Sequence, residues 1–445
     1  MEQILRLVGE RALEEAVRSG ADAEAFLMQT KELSIEVVEG RVETLKQAEE
    51  TSLGIRVIKQ GRTGFAFTSD LGNEAVKQAV QDAISICAYT TPDAFQVLPA
   101  KAEYPRLELF DRDMAAMSVE EKIEIARSVE RSARSTDSRI AIVERSGYDD
   151  LEYCKLIINS RGLYAYESGN FGGVYIFLVA EDGADAQNGF STMAVRKLRE
   201  LAPEQVGQEA AANAIRVLHA KTMRSGCLPV IMEPWVAVRF AGILASMVNA
   251  EAVQKGKSLL AGKIGDQVTA SCCTIIDNGL LENGIASAGF DSEGVPARNK
   301  TIIKKGTLET YLHNTYTAGK DGVESTGNAQ RGSFRGLPMV GSSNFMIAPG
   351  SEDKDTLFMG IEKGLYVTEV MGMHTANPIS GDFSVGASGL MIEQGSLTYP
   401  VRGLTIAGNM AEFLMNIDAV ASDFRFYGGK GSPSLRIRAL SIAGE

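Results

Sequence analysis

Leu53-Gly54-Ile55-Arg56-Val57 alternates apolar side chains with Gly and Arg, the period of two that marks a half-buried strand, and Gln60-Gly61 then supplies a turn. Strand-like runs flank it at Glu24–Gln29, Leu33–Val38, Ser52–Ile58 and Thr63–Phe67. Before them Ile4, Leu5, Val8 and Leu13 begin an apolar helical stripe that Gly20 ends, and after them Asn73–Tyr89 reads as a second helix. The first 90 residues are thus helix, antiparallel meander, helix.

A polar, Pro-containing linker, Thr90–Asp113, separates this unit from a second one with the same order of elements. Ser118 and Glu121 form a capping box for a helix running to about Thr136. Strands are predicted at Ile140–Glu144, Leu151–Asn159, Leu163–Ser168 and Gly173–Glu181, with a turn at Ser160-Arg161-Gly162. A helix over Glu204–Thr222, with Val206, Ala210, Ala214 and Leu218 on one face, closes the unit.

From Ser225 onward Gly, Ser and Thr rise and the chain reads as strands and tight turns. One long helix, Val236–Val253, interrupts them, with Val236, Phe240, Ile243, Leu244 and Met247 at the spacing of a buried face. Hairpins are expected at Lys305-Gly306 and Gln394-Gly395. The expected fold class is α+β. An N-terminal α+β region, 1–222, has subdomains of about 1–90 and 113–222, and a β-rich domain with one long helix spans 223–445.

Composition narrows the function. The 445 residues carry 45 basic and 57 acidic side chains, a net charge of −12, so the field repels phosphate backbones and anionic headgroups, and no direct nucleic-acid partner is expected. Met1-Glu2-Gln3-Ile4-Leu5-Arg6 enters a helix without the pattern of a signal peptide, and no window reaches the roughly 18 apolar residues of a membrane span; the least polar helix is interrupted by Arg239. A soluble cytoplasmic protein is expected. The cysteines, Cys87, Cys154, Cys227, Cys272 and Cys273, are odd in number and irregularly spaced, fitting neither a disulfide framework nor a zinc CxxC pattern.

No complete hydrolytic centre is found. The three histidines, His219, His313 and His374, are far apart in sequence, and none has a partner at helical spacing. A GxSxG elbow is absent. Gly428-Gly429-Lys430-Gly431 lacks phosphate-loop spacing and reads as a turn. Carboxylate pairs such as Asp291 with Glu293, or Asp382 with Glu393, cannot be ranked from sequence.

Four strings in order, Ala288-Gly289-Phe290-Asp291-Ser292-Glu293-Gly294-Val295, Ser325-Thr326-Gly327-Asn328-Ala329, Ser380-Gly381-Asp382-Phe383-Ser384 and Ile406-Ala407-Gly408-Asn409, resemble the TldD/PmbA family, formerly called modulators of DNA gyrase. The likeness spans nearly the whole chain. It implies a heterodimeric zinc metallopeptidase acting on short or unfolded peptides. In the TldD branch a His-Glu-x-x-x-His helix and a Cys near the C-terminus hold zinc. Here that helix corresponds to Val236–Val253, and the motif falls on Ala241-Gly242-Ile243-Leu244-Ala245-Ser246, so Ala241, Gly242 and Ser246 stand where ligands and base would be. No cysteine follows Cys273. The chain is therefore similar to the PmbA (TldE) branch. The resemblance implies no cofactor and no catalytic residue in this chain, with zinc in a TldD-type partner.

Asp291, Ser325, Thr326, Asn328, His374, Asp382 and Phe383 are the expected lining of a peptide chamber, although their Gly- and Ser-rich loops equally suit tight turns. Two other readings remain open. One is a non-catalytic homodimer that binds peptides or scaffolds a protein. The other is a stand-alone peptidase using His374 with a carboxylate such as Asp382.

Overall fold

The computed structural model describes residues 1–444. β1 (Asp22–Val38), β2 (Arg41–Lys59) and β3 (Arg62–Thr68) form the first meander, between α1 (Glu2–Arg18) and α2 (Asn73–Cys87). After the short α3 (Arg112–Ala116) the order recurs. α4 (Val119–Thr136) leads into β4 (Ile140–Asn159), β5 (Tyr164–Asp182) and β6 (Asp185–Val195), and α5 (Pro203–Ile215) follows. β1 pairs with β4, fusing both meanders into one six-stranded antiparallel sheet in the order β3-β2-β1-β4-β5-β6.

Several runs predicted as two strands are one. Glu24–Gln29 with Leu33–Val38 is β1, Ile140–Glu144 with Leu151–Asn159 is β4, and Leu163–Ser168 with Gly173–Glu181 lies in β5. The polar Thr30-Lys31-Glu32 breaks the apolar pattern but not the ladder, because β2 and β4 flank it and take up its backbone groups. The edge strand β6 has no counterpart among the predicted runs. α5 stops at Ile215, short of the predicted Thr222, and His219 beyond it takes a left-handed φ of 58°.

One face of the sheet carries the helices. Ala23, Ala25 and Leu27 with Leu53, Ile55 and Val57 pack under α1 and α2, while Leu33, Ile35, Val174 and Ile176 pack under α4 and α5. The period of two sends Glu24, Phe26, Gly54 and Arg56 to the other face. There Phe26, Ile157 and Ala165 meet Phe290 and Phe334 from the C-terminal half. The strand expected to be half-buried is therefore covered on both sides. A Cβ at Gly54 would come within 2.5 Å of the Phe334 carbonyl oxygen. Arg56 is only 4% exposed and is neutralised by Glu24 at 2.7 Å and Glu293 at 3.1 Å.

The remaining strands are β7 (Gly226–Met232), β8 (Ile275–Asn278), β9 (Asn299–Lys304), β10 (Thr307–Leu308), β11 (Ala329–Gln330), β12 (Met339–Val340), β13 (Asn344–Ile347), β14 (Lys363–Met371), β15 (Asp382–Glu393), β16 (Ser396–Asn409), β17 (Ile417–Val420), β18 (Arg425–Tyr427), β19 (Lys430–Ser432) and β20 (Leu435–Ala443). Between them lie α6 (Pro234–Met247), α7 (Ala250–Gln254), α8 (Thr315–Asp321) and α9 (Met410–Met415). One sheet runs β16-β15-β14-β7-β20-β17, and β20 pairs back onto β16, closing a barrel. A second runs β10-β9-β8-β13-β19-β18, and β11 and β12 form a small ribbon. The expected hairpin turns are present. Lys305 and Gly306, and Gln394 and Gly395, all have positive φ, as a tight two-residue turn requires.

The buried side of α6 (Val236, Ala237, Phe240, Ala241 and Leu244) packs into the barrel core against Val367, Val385, Ile406 and Ile437. Phe240 stacks on Phe413 at 4.6 Å. The helix predicted over Val236–Val253 is two helices. α6 ends at Met247, and the Asn249 side chain accepts the Glu251 and Ala252 N–H groups to start α7. An Asn that captures backbone donors in this way makes a cap of what would otherwise be a helix interior. Among the described residues no helix is long and apolar enough to cross a membrane.

Candidate functional site

α6 buries one side in the barrel and turns the other to a cleft of about 650 Å³. Trp235, Arg239, Gly242, Ile243 and Ser246 recur every three or four residues and so form one exposed stripe, which is the cleft floor. The walls are the 373–378 segment with His374, the β18–β19 turn with Tyr427 and Lys430, and the end of β6 at Thr192 and Ala194.

Each side chain is held by its element. Pro234 at the first turn of α6 aims Trp235 out of the barrel, where its ring meets Phe190 of β6 at 5.5 Å and Tyr427 edge-on at 4.9 Å. The Arg239 guanidinium lies over the Trp235 ring, 4.1 Å from its centroid. Ser246 donates its hydroxyl to the Gly242 carbonyl at 3.3 Å, a bond within the helix. The Lys430 side chain passes over Gly242, since a Cβ there would sit 3.7 Å from its Cδ and Cε. Tyr427 and Lys430 face each other across the β18–β19 hairpin, in which Gly428 has a φ of 59°.

Beyond Trp235 and Tyr427 lies a second cavity of about 590 Å³, between β6, α5 and the barrel. Its arginines are paired with carboxylates. Arg216 binds Glu233 in a two-pronged contact of 2.8 and 3.0 Å, and Arg425 binds Glu209. Burial pushes the Glu233 carboxyl above its ordinary range, with Arg216 opposing.

Zinc requires three or four His, Cys or carboxylate donors around one point. The cleft offers His374 alone, and among the described residues there is no group of three or more His, Cys, Asp or Glu side chains that could hold a metal ion. The donor set does not fit zinc. Of the positions matched to the zinc motif, Gly242 and Ser246 face the cleft, whereas Ala241 is 1% exposed in the barrel core. The histidines are held apart. His219 pairs with Asp182 at 2.9 Å on the surface, and His313 is buried beside Tyr311.

Of the residues expected to line a chamber, the structure places only His374 on the cleft. Asp291 is buried where the sheet meets the C-terminal half and accepts the N–H groups of Glu293, Val295 and Ala329, each at 2.9 Å. Burial and the neighbouring Glu293 push its carboxyl up to about 7, against those three donors. Asn328 is fully buried and donates to Asp277 at 2.8 Å and to the Gly341 carbonyl at 2.9 Å, while Lys300 donates to its side-chain oxygen at 2.9 Å. Thr326 accepts the His313 N–H at 2.7 Å, and Ser325 donates to the His313 carbonyl at 3.3 Å. These loops are polar knots that hold the β-domain together. Phe383 is in the barrel core. Asp382 is exposed, and its carboxyl is held below the usual range by hydrogen bonds from Asn409 and Ser380, a poor arrangement for a general base.

Sequence reasoning missed Trp235, Tyr427 and Lys430. Arg239, the lone charge in an otherwise apolar helix, and the glycine-flanked Lys430 were the available signals. Neither shows its partner in one dimension.

Three family models match successive parts of the chain: PmbA/TldA metallopeptidase domain 1 over residues 23–87, the central domain over 112–218 and the C-terminal domain over 225–444. Metalloprotease PmbA of Escherichia coli O157:H7 is 31% identical over 100% of this chain and 97% of its own length. The TldD homolog of Haemophilus influenzae is 28% identical over 88% of this chain and 86% of its own. A Thermotoga maritima crystal structure labelled as a modulator of a DNA gyrase superposes with a TM-score of 0.92 at 31% identity, covering 98% of this chain and 100% of that one.

Proposed function

The chain belongs to the PmbA/TldD metallopeptidase family, and from that premise we propose that it is the PmbA-type (TldE) subunit of a heterodimeric zinc peptidase for short, unfolded peptides, with zinc and general base in a TldD-type partner. The observation that carries this reading is the exposed stripe of α6. Where the TldD branch is expected to hold zinc ligands, this chain presents Gly242 and Ser246 beside Arg239, none of which is a zinc ligand.

The role left to the chain is to hold substrate. Among the described residues β6 pairs with no strand but β5, so it is an edge strand; Asn213 donates to its Phe190 carbonyl at 3.0 Å, and its last residues run into the cleft. An extended peptide can add to such an edge through main-chain hydrogen bonds, which read no sequence and suit unfolded substrates. Alternate side chains would enter the cleft beside Trp235 and Ile243. The hydrolytic step belongs to the partner.

Elemental analysis and co-purification test the pairing. Purified with a TldD-type paralogue, the chain is expected in a stable complex whose zinc follows the paralogue. A chain that stays homodimeric in the presence of the paralogue supports the scaffold reading instead. Stoichiometric zinc in the isolated chain, with chelator-sensitive cleavage lost in His374→Ala, supports a stand-alone peptidase.

A further inference from the structure

The charges of the cleft are one-sided. Arg239 and Lys430 line it, and no Asp or Glu does, in a chain whose net charge is −12. In the adjoining cavity Arg216 and Arg425 are each neutralised by a carboxylate, Glu233 and Glu209. Among the described residues Arg239 and Lys430 have no such partner. Glu369, the one acidic side chain acting on Arg239, lines the adjoining cavity and not this one.

We propose that the α6 cleft is a carboxylate-binding site in which Arg239 and Lys430 together hold the carboxylate of a short peptide. The inference rests on the peptide-binding reading above and deepens it.

The geometry suits one small anion with an apolar neighbour. Lying over the Trp235 ring, the Arg239 guanidinium makes no hydrogen bond or ion pair among the described residues, and its N–H fork matches the two oxygens of a carboxylate. Lys430 crosses Gly242, one helical turn further along the same stripe, and Gly242 has no side chain to keep its ammonium from that anion. Between and around the two cations the surface is apolar, with Trp235, Val238, Ile243, Met373 and Phe426 available to cover the side chain attached to or next to the carboxylate. The Arg239–Trp235 stack alone would explain an exposed arginine on a helix. It does not explain a second unpaired cation over a glycine, or a lining free of acid.

Trp235 is the only tryptophan of the chain, so its fluorescence reports directly on occupancy beside Arg239. The full-length protein is titrated with three probes: acetyl-tetraalanine with a free C-terminus, the same peptide as its C-terminal amide, and an amidated acetyl-tetrapeptide with one internal glutamate. The free acid is expected to bind about tenfold or more tightly than the neutral amide, as befits loss of a charge-assisted contact, and to weaken as salt is raised. Arg239→Gln and Lys430→Met should each abolish most of that preference. If the glutamate peptide binds as tightly as the free acid, a side-chain carboxylate serves as well; if it binds no better than the neutral amide, the site takes the C-terminal carboxylate alone, and both results support the site. Equal affinity for all three probes in the unaltered protein overturns the proposal and leaves the peptide reading standing. Failure of all three probes to bind overturns both. The acid-against-amide comparison needs no variant, so a variant that fails to fold does not remove the test.

Discussion

At the scale of single residues, a cluster of buried charges joins the sheet to the C-terminal half, and breaking such a cluster is costly. Arg56 lies between Glu24 and Glu293, and Glu24 also binds Arg331, with all four side chains nearly free of solvent. Glu24→Ala would leave Arg331 without a carboxylate and Arg56 with one, and should cost about 3–5 kcal/mol in a denaturant titration; a loss under about 1 kcal/mol would show that these charges reach water. Cys272 supplies a pH-dependent readout. The hydrogen bond from the adjacent Cys273 pulls its thiol down to about 7, and the same contact with burial pushes Cys273 up. Thiolate dominates above that value, so iodoacetamide labelling of Cys272 should rise through a midpoint near pH 7. In Cys273→Ala the midpoint should move up towards the ordinary thiol value, and an unchanged midpoint would reject the assignment. The sequence showed the alternation at Leu53–Val57 but not what Gly54 and Arg56 face. An Arg in a strand reads as solvent-facing until its two carboxylates, one of them Glu293, arrive from elsewhere in the chain.

At the scale of elements, the close approach of α4 and α5 sets propensity against packing. Gly207 sits inside α5, where replacement by Ala normally gains about 1 kcal/mol. Here the added Cβ would lie 2.3 Å from the Val129 carbonyl oxygen and 2.9 Å from the Ala133 nitrogen, both backbone atoms. The helices must separate, and Gly207→Ala is expected to lower stability by about 2 kcal/mol net. A raised melting temperature would contradict this packing. Elements marked by local chemistry could be read from sequence, as the Ser118–Glu121 capping box and the turns at Lys305-Gly306 and Gln394-Gly395 show. Elements set by tertiary pairing could not. β1, β4 and β5 run through polar stretches because neighbouring strands hold them. α6 and α7 share one apolar pattern, and only the capping geometry of Asn249 divides them.

At the scale of the whole molecule, two long-range pairings create the site. β1 with β4 fuses the two meanders and leaves β6 as an outer edge, while β20 with β16 closes the barrel against which α6 packs. The α+β class and the repeated helix–meander–helix order could be read in sequence; the fusion and the closure join segments too far apart to show a periodic signal. The motif strings identify the family, yet Asp291 and Asn328 within them secure the β-domain, and the cleft is built largely from residues outside those strings. The proposed division of labour, with an open cleft and no zinc donors on the helix that floors it, is best measured by reconstitution. Cleavage of an unfolded peptide is followed with the TldD-type partner alone, with this chain alone, and with the two mixed in equal amounts. The account predicts negligible cleavage by this chain alone and a rate in the mixture well above that of the partner alone. Equal rates with and without this chain, or full activity in this chain by itself, would contradict it.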